Sequence, residues 1–255
     1  MKIYLILSIC LFLLIVVIFF TGLLQTDVKD YFTLIRDEEF VKAIIFTLET
    51  AIPATFFAFF SGVPIGFYLS RFEGIIPEIF DTAFDIPIVI PPLIVGVLFL
   101  SLFSNNIIPF FDIFIFNIYG AIAVQFFIAF PLTVKMAKSA FDLVPSLYEN
   151  LAMTLGANYF RAIYDTTFKI AFSGIASGVI LTFLRCLGEF GATLIVGGGI
   201  PGKTENIPIN IYLNISAGKF EYAMAASVLM IIFAGIGLFA VKFMLNNRLI
   251  EIDNR

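Results

Sequence analysis

The sequence predicts an all-α integral membrane protein with six transmembrane helices, and three observations lead there. Hydrophobic residues make up 60% of the chain and charged residues 13%, whereas soluble domains carry about 25% charged residues. Mean hydropathy is +1.04, and the apolar residues gather into six runs. A helix needs roughly 20 such residues to cross a hydrocarbon core about 30 Å thick. The third observation is the connection from Ser139 to Lys169. Loops longer than about 12–15 residues are usually functional or disordered, and this one carries helix signals.

The runs read as spans over 3–24, 43–70, 82–103, 118–138, 171–196 and 222–245. The apolar core of the first, Ile3 to Phe20, is longer than the about 7–15 residues of a signal-peptide core. No A-x-A cleavage site follows, so it is read as an uncleaved span. The second contains Pro53 and Pro64 beside Gly62 and Gly66. Neighbouring helices satisfy backbone groups freed by such residues, so the span should bend without ending. The third opens with Pro87, Pro91 and Pro92, either a kink near the membrane surface or a hinge. The chain is read as one domain, with a first span and outer loop over 1–38 and a core over 39–255 holding the loop 139–170.

The fifth span holds two charges one helical turn apart, Arg185 and Glu189. Each costs about 2.5–3.5 kcal/mol at mid-helix on insertion scales, so such residues face the bundle interior, pair, or line a wet path. They either hold the bundle together or line an anion path, for which Arg is the suited cation. On the second reading, Arg185→Ala lowers transport and leaves assembly intact. Gly188 and Gly191 either let helices approach closely or form a flexible point.

Other features exclude function classes. There is no histidine, which removes His-based zinc sites, His-assisted serine chemistry and histidine proton relays. Cys10 and Cys186 lie in separate apolar runs and read as small buried residues. The 33 phenylalanines read as lipid-facing and core filler. The net charge of −4 is too mild to suggest a nucleic-acid partner.

Lys and Arg set the orientation. With the amino terminus in the cytoplasm, Lys2, Arg71, Lys135, Lys138, Arg161, Lys169, Lys242, Arg248 and Arg255 face inward. Lys29, Arg36, Lys42, Lys203 and Lys219 face outward. This bias favours a cytoplasmic amino terminus in the plasma membrane. The connection 104–117 has no Lys or Arg, as suits an outer loop. The segment Gly197–Asn206 contains a G-x-P-G-K-T string. It follows a membrane helix instead of a strand, so it reads as an exposed outer loop and not as a nucleotide site.

The Ser139–Lys169 loop then lies in the cytoplasm. Pro145 ends the preceding helix, and Ser146 with Glu149 has capping-box spacing. Tyr148, Leu151, Ala152 and Leu155 follow at i, i+3, i+4 and i+7, one face of a short helix. Gly156 stands where a left-handed cap belongs, and Asn158 is placed to cap a second short helix. The hairpin either rests on the membrane surface or inserts into a groove of a partner.

Glu149 through Gly156 resembles the EAA loop of ABC importer permeases. Asn150 stands where that pattern has its acidic residue, and Lys169 stands where it closes on proline. Asp85 through Gly96 resembles the "LPVVIPP..G" opening of the third span in oxyanion permeases. Leu187-Gly188-Glu189-Phe190-Gly191-Ala192-Thr193 resembles their "GEFGAT" segment. With Gly62 through Arg71, the resemblance runs from about residue 40 to the end and is nearest to molybdate/tungstate members, with sulfate as the alternative.

The resemblance implies a type I ABC importer permease fold with a coupling-helix hairpin between spans four and five. Tyr148, Glu149, Leu151, Ala152, Leu155 and Gly156 would engage the ATPase. Arg185, Gly188, Glu189, Gly191, Thr193, Pro87 and Pro91 would form the path or gate. It implies a second permease copy, two cytoplasmic ATPase subunits and an extracytoplasmic oxyanion-binding protein. The chain itself would bind no cofactor, ATP and Mg being held by the ATPase. Outside that family, an ion-coupled secondary transporter is the rival reading.

Overall fold

The computed structural model describes residues 2–104 and 111–253. Its α-helices, in chain order, are α1 (Lys2–Leu24), α2 (Val28–Arg36), α3 (Glu38–Arg71), α4 (Ile75–Val89), α5 (Pro92–Ser104) and α6 (Ile118–Asp142). They continue as α7 (Leu147–Thr154), α8 (Tyr159–Ala162), α9 (Lys169–Leu187), α10 (Gly191–Gly197), α11 (Ile207–Ser216) and α12 (Phe220–Asp253). No strand occurs among the described residues. Five helical stretches are long and apolar enough to cross a membrane. The bent pair α4 and α5 makes six if counted as one span.

Small residues bring the central helices together. Gly62 and Gly66 of α3 lie so close to α6 that a Cβ at Gly66 would stand 2.7 Å from the Ala137 Cβ and 2.8 Å from Val134 O. Gly174 and Gly178 of α9 meet Ala140 and Met136 of α6 in the same way. Around these contacts Val63, Ala137, Phe141 and Ile175 form one buried cluster, and Ala51, Ala54, Ala129, Cys186 and Leu187 form another. Pro53 and Pro64 sit inside α3 without ending it, as expected. The α1 helix packs on α12, where Gly22 faces Val228 and Met224. Its Cys10 is exposed, which corrects the reading of that residue as buried; Cys186 is buried.

Two spans are broken, the third at the proline cluster read as a kink or hinge and the fifth where the sequence suggested a continuous helix. The third, expected over 82–103, consists of α4 and α5, bent by 105°. Ile90 is extended there and Pro91 follows it, in keeping with the bias of pre-proline residues away from helix. The fifth, expected over 171–196, stops at Leu187 and resumes at Gly191. The connections read as outer are also more ordered than expected. The α2 helix follows α1 directly, and α11 follows the Gly197–Asn206 segment. Half of the latter is inside: Gly197, Gly199, Thr204, Glu205 and Asn206 are buried, whereas Gly198, Ile200, Pro201 and Lys203 are exposed. Thr204 Oγ1 donates to Gly197 O at 2.6 Å and accepts from Ile200 N at 3.1 Å. This corrects the reading of an exposed loop for its Thr204–Asn206 end. Of the 104–117 connection, residues 105–110 lie outside the described residues, as does Arg255 among the counted cations.

Candidate functional site

The hairpin between α6 and α9 begins at Pro145, after α6 has ended at Asp142. Ser146 makes no side-chain cap bond, so the expected capping box does not form. The Glu149 carboxylate turns inward instead and is buried. Its Oε1 accepts from Arg71 Nε at 3.0 Å and from Thr167 Oγ1 at 2.5 Å, and Arg71 Nη2 stands 2.9 Å away in the same ion pair. A guanidinium and a hydroxyl offer a buried carboxylate charge-assisted bonds, while the N–H groups at an exposed helix start are already served by water. Glu149 is therefore absent from the outward face of α7.

That face carries Tyr148, Leu151 and Leu155, all exposed, with Leu155 at 89%. Ala152 is half-buried. Met153 and, beyond the turn, Tyr159 and Phe160 extend the apolar surface; the sequence reading had not placed these on it. Gly156 has φ +94°, the left-handed backbone that glycine adopts without penalty. Its N–H donates to Met153 O and that of Ala157 to Ala152 O, each at 3.0 Å. Asn158 Oδ1 then accepts from Arg161 N at 2.8 Å and starts α8, as expected. A π-helical turn, Ile163–Phe168, joins α8 to α9, so Tyr159–Leu187 runs without a break. Lys169 keeps a backbone N–H that proline lacks, and it donates to Thr166 O. Its Nζ pairs with Asp165 at 2.6 Å.

The break in the fifth span is built around Glu189. This side chain is 2% exposed. Its Oε2 accepts from Arg185 Nη1 at 2.6 Å and its Oε1 from Ala192 N at 3.1 Å. The carboxylate thus caps the start of α10, where free N–H groups and the helix dipole favour an anion. Its backbone carbonyl accepts from Asn206 Nδ2 at 2.7 Å. Arg185 is less enclosed, with its side chain 36% exposed. The two glycines differ. A Cβ at Gly191 would stand 3.1 Å from Leu93 N, whereas at Gly188 the nearest atom would be Leu184 O at 3.6 Å. Close packing therefore explains Gly191 and leaves Gly188 open.

The two broken spans meet. Gly191 abuts Leu93, just past Pro91 and Pro92, and Gly96 faces Ala192. Pro87 lies buried inside the last turn of α4, just before the bend. Thr193 Oγ1 accepts from Gln125 Nε2 at 3.2 Å, and Gln125 also donates to Thr50 Oγ1 at 3.1 Å. Gln125 Oε1 is buried without a partner. Sequence reasoning had passed over Gln125, and also Glu49, which is exposed midway along α3. Both are polar residues within apolar runs, the same signal that singled out Arg185 and Glu189. Lys135 and Lys138, counted among the inward-facing cations, join α6 to Asp81 and Asp85 of α4 at 2.7–2.9 Å.

Residues 62–251 match the family described as binding-protein-dependent transport system inner membrane component. The chain is 32% identical over 219 residues to a molybdate/tungstate transport system permease protein of Thermococcus kodakarensis, covering 85% of this chain and 83% of that one. It is 32% identical over 193 residues to a molybdenum transport system permease protein of Escherichia coli, covering 72% and 83%. Among solved structures it resembles a bacterial alginate ABC transporter crystallised with an alginate-bound periplasmic protein. The TM-score is 0.75 at 18% identity, over 94% of this chain and 91% of that one. It also resembles the inward-facing MetNI methionine ABC transporter, with TM-score 0.63 at 20% identity, over 81% and 94%.

Proposed function

The chain belongs to the family of binding-protein-dependent transport system inner membrane components, and on that premise we propose that it passes molybdate or tungstate through an ATP-driven importer. It is a multi-pass membrane permease of the type I ABC importer fold with no ATPase site of its own. The observation that carries the mechanism is the exposed face of Tyr148, Leu151 and Leu155 on a hairpin held at its base by Glu149. Exposed apolar surface of this kind marks interaction sites, and a short helix presenting it suits a groove.

In this reading the hairpin end lies in the cytoplasm with the amino terminus. Two copies of the chain form the path, each hairpin seated in an ATPase subunit, and an extracytoplasmic binding protein delivers the anion. ATP and Mg belong to the ATPase, whose differential affinity for ATP drives the change of state. Arg185 offers the anion its half-exposed guanidinium, with Glu189 offsetting part of the charge so that the anion is not trapped. Pro91, Gly188 and Gly191 flank the place where the two broken spans meet and let them shift, while Pro87 and Thr193 support them. The names of the relatives favour molybdate and tungstate over sulfate. Broken spans also occur in ion-coupled transporters, but that reading leaves the hairpin without a role.

The test is ATP hydrolysis by the reconstituted permease–ATPase complex, with its binding protein loaded in turn with molybdate, tungstate or sulfate. Stimulation by the first two and not the third is expected. Stimulation by sulfate alone would contradict the assignment of substrate.

A further inference from the structure

We infer that Arg71 is the positioning residue that makes hairpin displacement act on the helix bundle. The inference rests on the reading of the hairpin as the ATPase contact and deepens it. Arg71 ends α3, and its side chain is 13% exposed. It makes three hydrogen bonds and an ion pair. Nε donates to Glu149 Oε1, Nη1 to Phe141 O at 3.2 Å and Nη2 to Val144 O at 3.0 Å, and Nη2 also lies 2.9 Å from Glu149 Oε1. The two carbonyls belong to the end of α6 and the connection after it. Glu149 belongs to the first arm of the hairpin, and Thr167, bonded to the same oxygen, belongs to the second. One guanidinium therefore ties α3, α6 and both arms together. Its planar fork reaches acceptors in several directions at once, which a lysine ammonium on a flexible stem does less well.

The other end of the connection explains why this matters. The α3 helix has 34 residues, about 51 Å at 1.5 Å per residue. Along that length it touches the structures that would have to move. Thr47 Oγ1 accepts from Ile207 N at the start of α11, at 2.9 Å. Thr50 accepts from Gln125, which also holds Thr193 beside the break in the fifth span. Near its hairpin end, Gly62 and Gly66 press α3 against α6 with no free space between them. A load on the hairpin is thus delivered through Arg71 to a close-packed helix pair that runs to the break. Without Arg71 the load reaches the bundle through the chain entering α7, the π-helical turn and the packing of Phe168 on the Val63–Ile175 cluster.

The test uses the permease–ATPase complex in proteoliposomes with its oxyanion-loaded binding protein, reading tungstate transported per ATP hydrolysed. Arg71→Met is expected to co-purify with the ATPase at wild-type stoichiometry and to keep ATP hydrolysis within about 2-fold, while transport per ATP falls about 10-fold. Arg71→Lys should recover part of that loss. Glu149→Gln, which keeps the shape of the side chain, should lower the ratio in the same direction and serves if Arg71→Met fails to fold. Wild-type transport per ATP in Arg71→Met or Glu149→Gln would overturn the inference. So would a loss of co-purification and thermal stability in both variants, which is the mark of a merely structural bond. A wild-type chain that neither binds nor stimulates the ATPase would overturn the underlying reading instead.

Discussion

Replacing Arg185 by methionine should destabilise the fold more than removing the charge of its partner. The asymmetry follows from burial: the Glu189 side chain is 2% exposed and that of Arg185 is 36% exposed. Arg185→Met strands a buried carboxylate, and breaking a buried pair in this way costs about 3–5 kcal/mol. Glu189→Gln keeps an oxygen to accept from Ala192 N, and Arg185 can turn to water. The loss is then nearer the about 1.5–3 kcal/mol of a hydrogen bond to a charged group. The double variant leaves no stranded charge and should be more stable than Arg185→Met alone. For a chain of this size, about 2–4 °C per kcal/mol puts the Arg185→Met midpoint roughly 6–20 °C below wild type. Far-ultraviolet circular dichroism of the detergent-solubilised chain reads the midpoints, since the sequence has no tryptophan. An Arg185→Met midpoint within about 1 kcal/mol of wild type, or single costs that simply add in the double variant, would refute the reasoning. A transport defect in Arg185→Ala bears on the anion path only when compared in the Glu189→Gln background.

Four further outcomes are expected. Gly66→Ala places a Cβ 2.8 Å from backbone atoms of Val134 and Lys138, so overpacking should lower stability by about 1–3 kcal/mol. Gly235→Ala, with nothing within 4 Å, should melt no lower than the wild type, since glycine inside a helix costs about 0.5–1 kcal/mol relative to alanine. Leu155→Asp alters an 89% exposed side chain, so stability should stay within about 0.5 kcal/mol while retention on immobilised ATPase is lost. Burial holds the Glu205 carboxyl above its ordinary value of 4.5, against the Asn210 amide, with Glu39 and Asp37 adding repulsion. Its Oε2 has no partner. The folded state therefore binds this proton more tightly than the unfolded one, and stability falls as pH rises from 4.5 through the raised value. Melting midpoints should decline over that window and flatten in Glu205→Gln.

Particular residues show what the sequence made legible. Composition and run length were enough for the spans, because crossing a membrane demands long apolar helices whatever the tertiary context. Gly156 and Asn158 were readable since their roles depend only on neighbouring backbone. Glu149 was not. Its spacing from Ser146 satisfied a local rule, but Arg71, 78 positions away, offered a stronger partner. The break in the fifth span escaped for a related reason. Hydropathy sums over a window and passes through Gly188, whereas the break depends on Glu189 and Asn206 capping the ends it creates. Glu49 and Gln125 carried the same signal as Arg185, a polar group in an apolar run, and lacked only a motif to draw the eye.

Tungstate uptake into proteoliposomes bearing this chain, its ATPase and a loaded binding protein tests the central claim most directly. Uptake that requires both ATP and the ATPase, and persists when ion gradients are collapsed, is the predicted result. Uptake driven by an ion gradient in the absence of the ATPase would contradict the account.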